Sequence, residues 1–178
     1  MNQQLQNRLI IGKTCNAGIA PAVALVNPKN ASNLGMVIRL ASCYNVKQVW
    51  YTGDRIQIAE GERIPREERM KGYNEVQLIQ YDKFFDQFKD VTPVAVEVRE
   101  NAELLTEFEH PENAIYVFGP EDGGLTKVHL QHCHRFVKIP TRHCLNLATA
   151  VSTVLYDRMV KLGQAYEIAE DRGPAYAE

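Results

Sequence analysis

The sequence predicts an α/β fold: a mainly parallel sheet with helices on both faces. Three observations carry that expectation. Short apolar, β-rich runs alternate along the chain with stretches whose apolar residues recur at helical spacing. Three of those runs, at 22–26 (AVALV), 114–118 (AIYVF) and 135–139 (RFVKI), lead directly into turns dense in Gly, Asn, Pro and charge. No repeat, linker or low-complexity segment divides the 178 residues. One domain of this length buries a proper core without staples. The expected organisation is an N-terminal arm over 1–21, one domain over 22–163 and a loose C-terminal tail over 164–178.

Taken in order, the first twenty residues read as a polar arm with some helix. Ala22–Val26 is a strand. Asn33 then fits a helix N-cap, and Leu34, Val37, Ile38 and Ala41 make the stripe of the helix that follows. Val46–Tyr51 is the second strand, followed by a charged, irregular excursion with one helical turn. Val76–Ile79 and Pro93–Val98 are strands with a short helix near Asp82–Phe88 between them, and Asn101–Phe108 reads as a further helix. Beyond the strand ending at Phe118, Leu125–Cys133 is helical and Arg135–Ile139 is the last strand. Leu147, Ala148, Val151, Leu155, Met159 and Leu162 stripe the final helix, which Gly163 ends.

Composition is that of an ordinary globular protein. No apolar run approaches membrane-spanning length, and the N-terminus lacks the apolar stretch of a secretory signal, so no membrane partner is expected. Cys15, Cys43, Cys133 and Cys144 are scattered without CxxC spacing, as reduced thiols of a cytoplasmic protein are. The net charge of -2 conceals an asymmetry: no acid precedes Asp54, and none lies between Gly123 and Tyr156, whereas acid gathers from Asp82 to Asp122. The basic stretches hold the first and third turns, which suits a phosphate-rich partner near the site.

Nucleotide-site fingerprints are missing. There is no GxxxxGK[ST], which argues against a P-loop ATPase, and no GxGxxG after the first strand, which argues against dinucleotide binding. Gly119, Gly123 and Gly124 form a Gly-rich turn of another pattern. It serves either as a plain strand-to-helix connection or as a close backbone approach to a flat ligand beside Glu121. Arg39 reads as a snorkelling or ion-paired side chain or as a functional one; Asn33 and Asn146 read as caps or as substrate ligands. The histidines and thiols from His129 to Cys144 lack zinc-site spacing, so no metal is expected.

Together NLGMVIR (33–39), FGPEDGGLT (118–126) and IPTRHCLNLATAV (139–151) resemble, in order and spacing, the three signature motifs of the SpoU (TrmH-like) branch of the SPOUT RNA methyltransferases. The resemblance runs from about Ala22 to Leu162. It implies S-adenosyl-L-methionine as methyl donor, a ribose 2′-hydroxyl in RNA as acceptor, a C-terminal deep trefoil knot and a homodimer with shared active sites. General topology rules would vote against the knot. By position, Arg39 matches the motif-one arginine implicated in catalysis and Asn33 its preceding asparagine. Glu121 and Asn146 match polar residues of the second and third motifs. Val96, Gly119, Ile139, Cys144 and Leu147 match cofactor-contacting positions. Cys144 stands where the family has serine, and a thiol is a weak donor and acceptor. The second and third motifs lean toward the tRNA-modifying members; an rRNA 2′-O-methyltransferase and a catalytically silent RNA-binding relative are the alternatives.

Overall fold

The computed structural model describes residues 9–11, 20–58, 75–88 and 90–164. Its frame is an all-parallel sheet of eight strands: β1 (Leu9–Ile11), β2 (Ala22–Leu25), β3 (Gln48–Tyr51), β4 (Gln77–Gln80), β5 (Thr92–Val96), β6 (Glu103–Leu104), β7 (Ala114–Phe118) and β8 (Arg135–Lys138). Their order is β1-β4-β3-β2-β7-β5-β8-β6. β7 therefore lies between β2 and β5, and the chain leaves the centre after β5, returns to it as β7 and leaves again as β8.

Each face carries helices. Val23, Leu25, Val49, Leu78, Val94 and Tyr116 form one core with α1 (Ala31–Cys43) and α3 (Leu147–Lys161). Ala24, Trp50, Ile79, Ala95, Ile115 and Val117 alternate with them and form the opposite core, under a 3-10 turn (Phe84–Gln87) and α2 (Lys127–Leu130). Strict two-residue alternation between two apolar faces is what a strand covered on both sides requires. β7 is buried at all five positions, because it is the central strand. α1 and α3 pack against each other on their shared face.

The expected α/β class and strand positions hold, with four differences. Leu9–Ile11, placed in a partly helical arm, pairs with β4 as an edge strand. Asn101–Phe108, expected as a helix, is turns around β6: Leu105 N–H donates to Lys138 O, and Arg135 grips Glu103 bidentately. The open edge of β8 takes this segment, and tertiary pairing overrides its helix propensity. α1 starts earlier than expected, capped by Asn30, whose side-chain oxygen accepts from Ser32 N–H at 2.8 Å. α2 is shorter than Leu125–Cys133. The final helix is as expected: Gly163, at φ +62, sits just past its end. The helical turn expected in the charged excursion, and all but Gln164 of the expected tail, lie outside the described residues.

Candidate active site

The three motif turns meet at the carboxyl ends of the strands. Because Asn30 caps α1, Asn33 is not the cap but a residue of the first turn, and its amide reaches across to the other two turns. Its Nδ2 donates to Glu121 Oε1 at 2.8 Å, and its Oδ1 accepts from Asn146 Nδ2 at 3.0 Å. Asn146 in turn caps α3 through Oδ1, which accepts from Ala148 and Thr149 N–H. Lys29 N–H supplies a second donor to Glu121, at 2.8 Å. Residues 88 and 113 apart in sequence from Asn33 thus form one directed hydrogen-bond chain, Asn146 to Asn33 to Glu121.

The direction of that chain fixes its chemistry. Burial pushes the Glu121 carboxyl up, but donors from Lys29 and Asn33 outweigh it and hold it below the usual carboxylate range. Glu121 is therefore an ionised anchor whose oxygens are already engaged. A poor proton acceptor results, but a firm orienter of the two amides. Each amide keeps one further N–H for an incoming oxygen.

The second turn is set by backbone contact. A Cβ on Gly119 would stand 2.5 Å from Gly124 C, so the turn folds onto itself through the glycine. Gly124 has φ +67 and lies against Glu97, whose Oε2 accepts from Leu125 N–H at 2.7 Å. Gly119 follows β7, Val96 ends β5 and Ile139 follows β8. Val96 registers with both Phe118 and Val137, so these three positions sit at the ends of adjacent strands. Leu147 is buried at the start of α3, while Cys144 is exposed in the loop before it.

Arg39 stands apart. It lies six residues beyond Asn33, about 9 Å of helical rise, exposed, and it has no hydrogen bond or ion pair to any described residue. Part of the basic charge near the turns is paired within the chain. Asp122 takes Arg55 bidentately at 2.6 and 3.0 Å and Lys29 at 3.6 Å, and the Arg55 guanidinium holds its carboxyl at about 2. Sequence reasoning missed Glu97, Lys29 and Asn30, which carry no motif signal: one acts through a side-chain contact to a turn 28 residues away, the others through main-chain or capping bonds.

Cys133 is a buried thiol pushed up to about 12, which makes it inert rather than nucleophilic. Among the described residues no group of three or more His, Cys, Asp and Glu is placed to hold a metal ion, and no helix is long and apolar enough to cross a membrane.

Comparison with known proteins places these turns in a family. The chain is 25% identical over 163 residues to tRNA (cytidine-2'-O-)-methyltransferase TrmJ of Methanocaldococcus jannaschii, covering 79% of this chain and 67% of that one. Its fold matches an AdoMet-bound rRNA methyltransferase from Sinorhizobium meliloti with a TM-score of 0.71 at 18% identity, over 83% of this chain but only 59% of that one. A structure addressing the 2-OH methylation of C/U34 on tRNA superposes with a TM-score of 0.69 at 24% identity, over 80% of this chain and 95% of that one. The model of the SpoU rRNA Methylase family matches residues 20–156, which include all three turns and nearly the whole sheet, and the chain belongs to that family.

Proposed function

We propose that this protein transfers the methyl group of S-adenosyl-L-methionine to a ribose 2′-hydroxyl of RNA, with tRNA as the substrate. The observation that carries this reading is the Asn146–Asn33–Glu121 chain, which ties one polar residue from each motif into a single site beside the adjacent ends of β5, β7 and β8. Family membership supports the reaction class, and the archaeal relative's named activity supports tRNA and a 2′-O acceptor.

The residues present suit the cofactor. The Gly119–Gly124 turn is held closed by backbone contact at Gly119, and Val96, Gly119 and Ile139 bring three strand ends side by side. Backbone groups of Gly119 and Ile139, with Val96, Leu147 and Cys144 around them, would hold S-adenosyl-L-methionine, whose sulfonium supplies the methyl group. Cys144 offers only a weak hydrogen bond there, so backbone contacts carry the affinity. The return of the chain to the centre at β7, between β2 and β5, is where we place the trefoil knot expected of this family.

Asn33 and Asn146 bind and orient the ribose through their remaining N–H groups. Glu121 keeps both amides in one orientation. Arg39, with no protein partner among the described residues, is left to meet developing negative charge on the 2′-oxygen or an adjacent phosphate. A guanidinium is always protonated, so it stabilises charge and does not take the proton, which passes to water or to an oxygen of the adjacent phosphate as the methyl leaves the sulfonium for the 2′-oxygen. Its place on the exposed side of α1 suits a site completed by a second subunit. α3 offers a matching surface, since Thr149, Thr153, Tyr156 and Val160 follow each other at three- and four-residue spacing, and Tyr156 and Val160 are among the exposed large apolar residues. The protein is accordingly proposed to act as a cytoplasmic homodimer, with residues 22–163 as the catalytic domain.

The test measures two quantities on one preparation. S-adenosyl-L-methionine at a hundredfold excess over its dissociation constant should stabilise the fold by about 2.7 kcal/mol, and labelled methyl should pass to bulk tRNA in preference to ribosomal RNA. No melting shift and no transfer to either RNA would refute the reading.

A further inference from the structure

A second feature of the carboxyl edge is a cleft of about 600 Å³ on the other side of the Gly119–Gly124 turn, over the ends of β2, β3 and β4. Pro120 and Gly124, which flank Glu121 in the chain, form one wall, so the cleft adjoins the hydrogen-bonded chain described above. The opposite wall is built by two interlocked turns. Asn27 adopts φ 43 and Gly53 φ +80, and a Cβ on Gly53 would stand 2.2 Å from Asn27 Oδ1. Asn27 N–H donates to Thr52 Oγ1, and Gly53 N–H donates to Asp82 Oδ1 at 2.8 Å. These bonds leave a defined set of unspent groups.

Among the described residues Asn27 Oδ1 is buried without a partner, and no described residue accepts from the NH2 of the same amide. Thr126 N–H can only donate, so His129 Nδ1 is an acceptor and the proton of the neutral ring is on Nε2. Burial and the neighbouring His132 lower its pKa, which favours that neutral form. Asp82 Oδ2 and the Asp54 carboxylate have no partner among the described residues. Among the described residues no Lys or Arg lines the cleft; Arg55, next to Asp54, is held by Asp122 and by the carbonyl of Asn27. Two carboxylates disfavour a phosphate beside them, so the described lining suits a neutral base better than the nucleic-acid backbone.

We propose that this cleft takes the unstacked base of the methylated nucleotide, and that its carboxylates select a base with an exocyclic amino group over uracil. The proposal rests on the transferase reading above. An exocyclic amine presents two N–H donors in one place, one for Asp82 and one for Asp54, whereas uracil has a single N–H on its pairing edge. Carboxylates accept from base amines in the same way in groove readout. Proteins that read RNA by sequence commonly splay single bases out and hydrogen-bond their edges. Asn27 and His129 supply donors for the carbonyl or ring nitrogen beside the amine.

Asp82→Asn tests this directly. The amide oxygen preserves the bond from Gly53 N–H while the other oxygen becomes a donor, so the fold is kept and the preference is reversed. Asp54→Asn, at an exposed position, is the second variant. Wild type and both variants are incubated with labelled S-adenosyl-L-methionine and bulk tRNA from a strain lacking the enzyme, and the ribose-methylated nucleosides are identified by mass spectrometry. The expected result is methylated cytidine, adenosine or guanosine from wild type. In each variant that product should fall about tenfold, the melting temperature and the cofactor-induced shift should be unchanged, and uridine should gain relative to the original target. Methylated uridine as the main wild-type product, or wild-type rates in both variants, would overturn the base-reading role while leaving the transferase reading intact. No transfer by wild type to any RNA would overturn both.

Discussion

At the scale of single residues, the site separates into anchors and one free charge. Asn33, Glu121 and Asn146 are tied to one another and to nearby backbone N–H groups, whereas Arg39 spends no bond on any described residue. This difference predicts how they fail. Arg39→Ala should leave the melting temperature and cofactor affinity nearly unchanged and reduce turnover by roughly 10²–10³, the cost of removing one oxyanion donor. Arg39→Lys should recover only part, since a point charge does not reproduce a fork-shaped donor. Turnover and melting measured on the same purified variants check this, and a destabilised variant with normal turnover would remove Arg39 from the mechanism.

At the scale of elements, two junctions decide whether the turns are presented correctly. The first is the Gly119–Gly124 contact. In Gly119→Ala the new methyl meets backbone rather than a flexible side-chain end. A cost of about 1–3 kcal/mol follows from such overpacking, together with loss of most of the melting shift given by S-adenosyl-L-methionine; thermal unfolding with and without the cofactor reads both. The second junction holds the far half of α3. Arg158, buried, donates to Pro111 O, Glu112 O and the Tyr116 hydroxyl, and Lys161 donates to Leu105 O and Phe108 O. The Tyr116 hydroxyl then donates to His110 Nδ1, and His110 Nε2 meets Asp157 at 2.8 Å. Burial lowers the His110 pKa, Asp157 pulls it back up, and Arg158 and Lys161 lower it further, with a net shift downward. The sign follows from linkage: as pH falls below 6.5, the unfolded chain takes up a proton that the folded chain refuses, so stability is lost until the folded pKa is reached. Denaturant melts at descending pH should show that loss, and His110→Gln should flatten it while lowering stability at every pH.

At the scale of the whole molecule, an all-parallel sheet covered on both faces leaves its carboxyl edge as the place where loops from distant strands meet. The motif turns occupy one part of that edge and the cleft over β2, β3 and β4 the adjoining part. The exposed Tyr156 and Val160 on α3 are the surface on which the homodimer reading depends. Replacing both, Tyr156→Arg with Val160→Glu, should yield a folded monomer by light scattering, with the melting temperature shifted by only a few degrees, as expected for exposed positions. Methyl transfer should be lost if sites are shared between subunits. A monomeric variant with full activity would show that each subunit completes its own site.

The sequence by itself determined the periodic elements and the turns between them. Strands such as Ala114–Phe118 and the stripe of α3 declare themselves because apolar spacing is a local property and their burial agrees with it. It also determined the family, since the motifs are contiguous and their order survives along the chain. The tertiary structure alone decided the rest. With Asn30 capping α1 through a local bond, the Asn33 amide meets Glu121, a partner 88 residues away that no local spacing reveals. The helical spacing of Asn101–Phe108 gave way because the open edge of β8 offered hydrogen bonds that a solvated helix could not match. The cleft walled by Asn27, Gly53 and Asp82 has no signature in the chain, because its groups come from three different strand ends. Local spacing is written in neighbouring residues; register, pairing and the meeting of distant turns are settled only when the sheet brings its strand ends together.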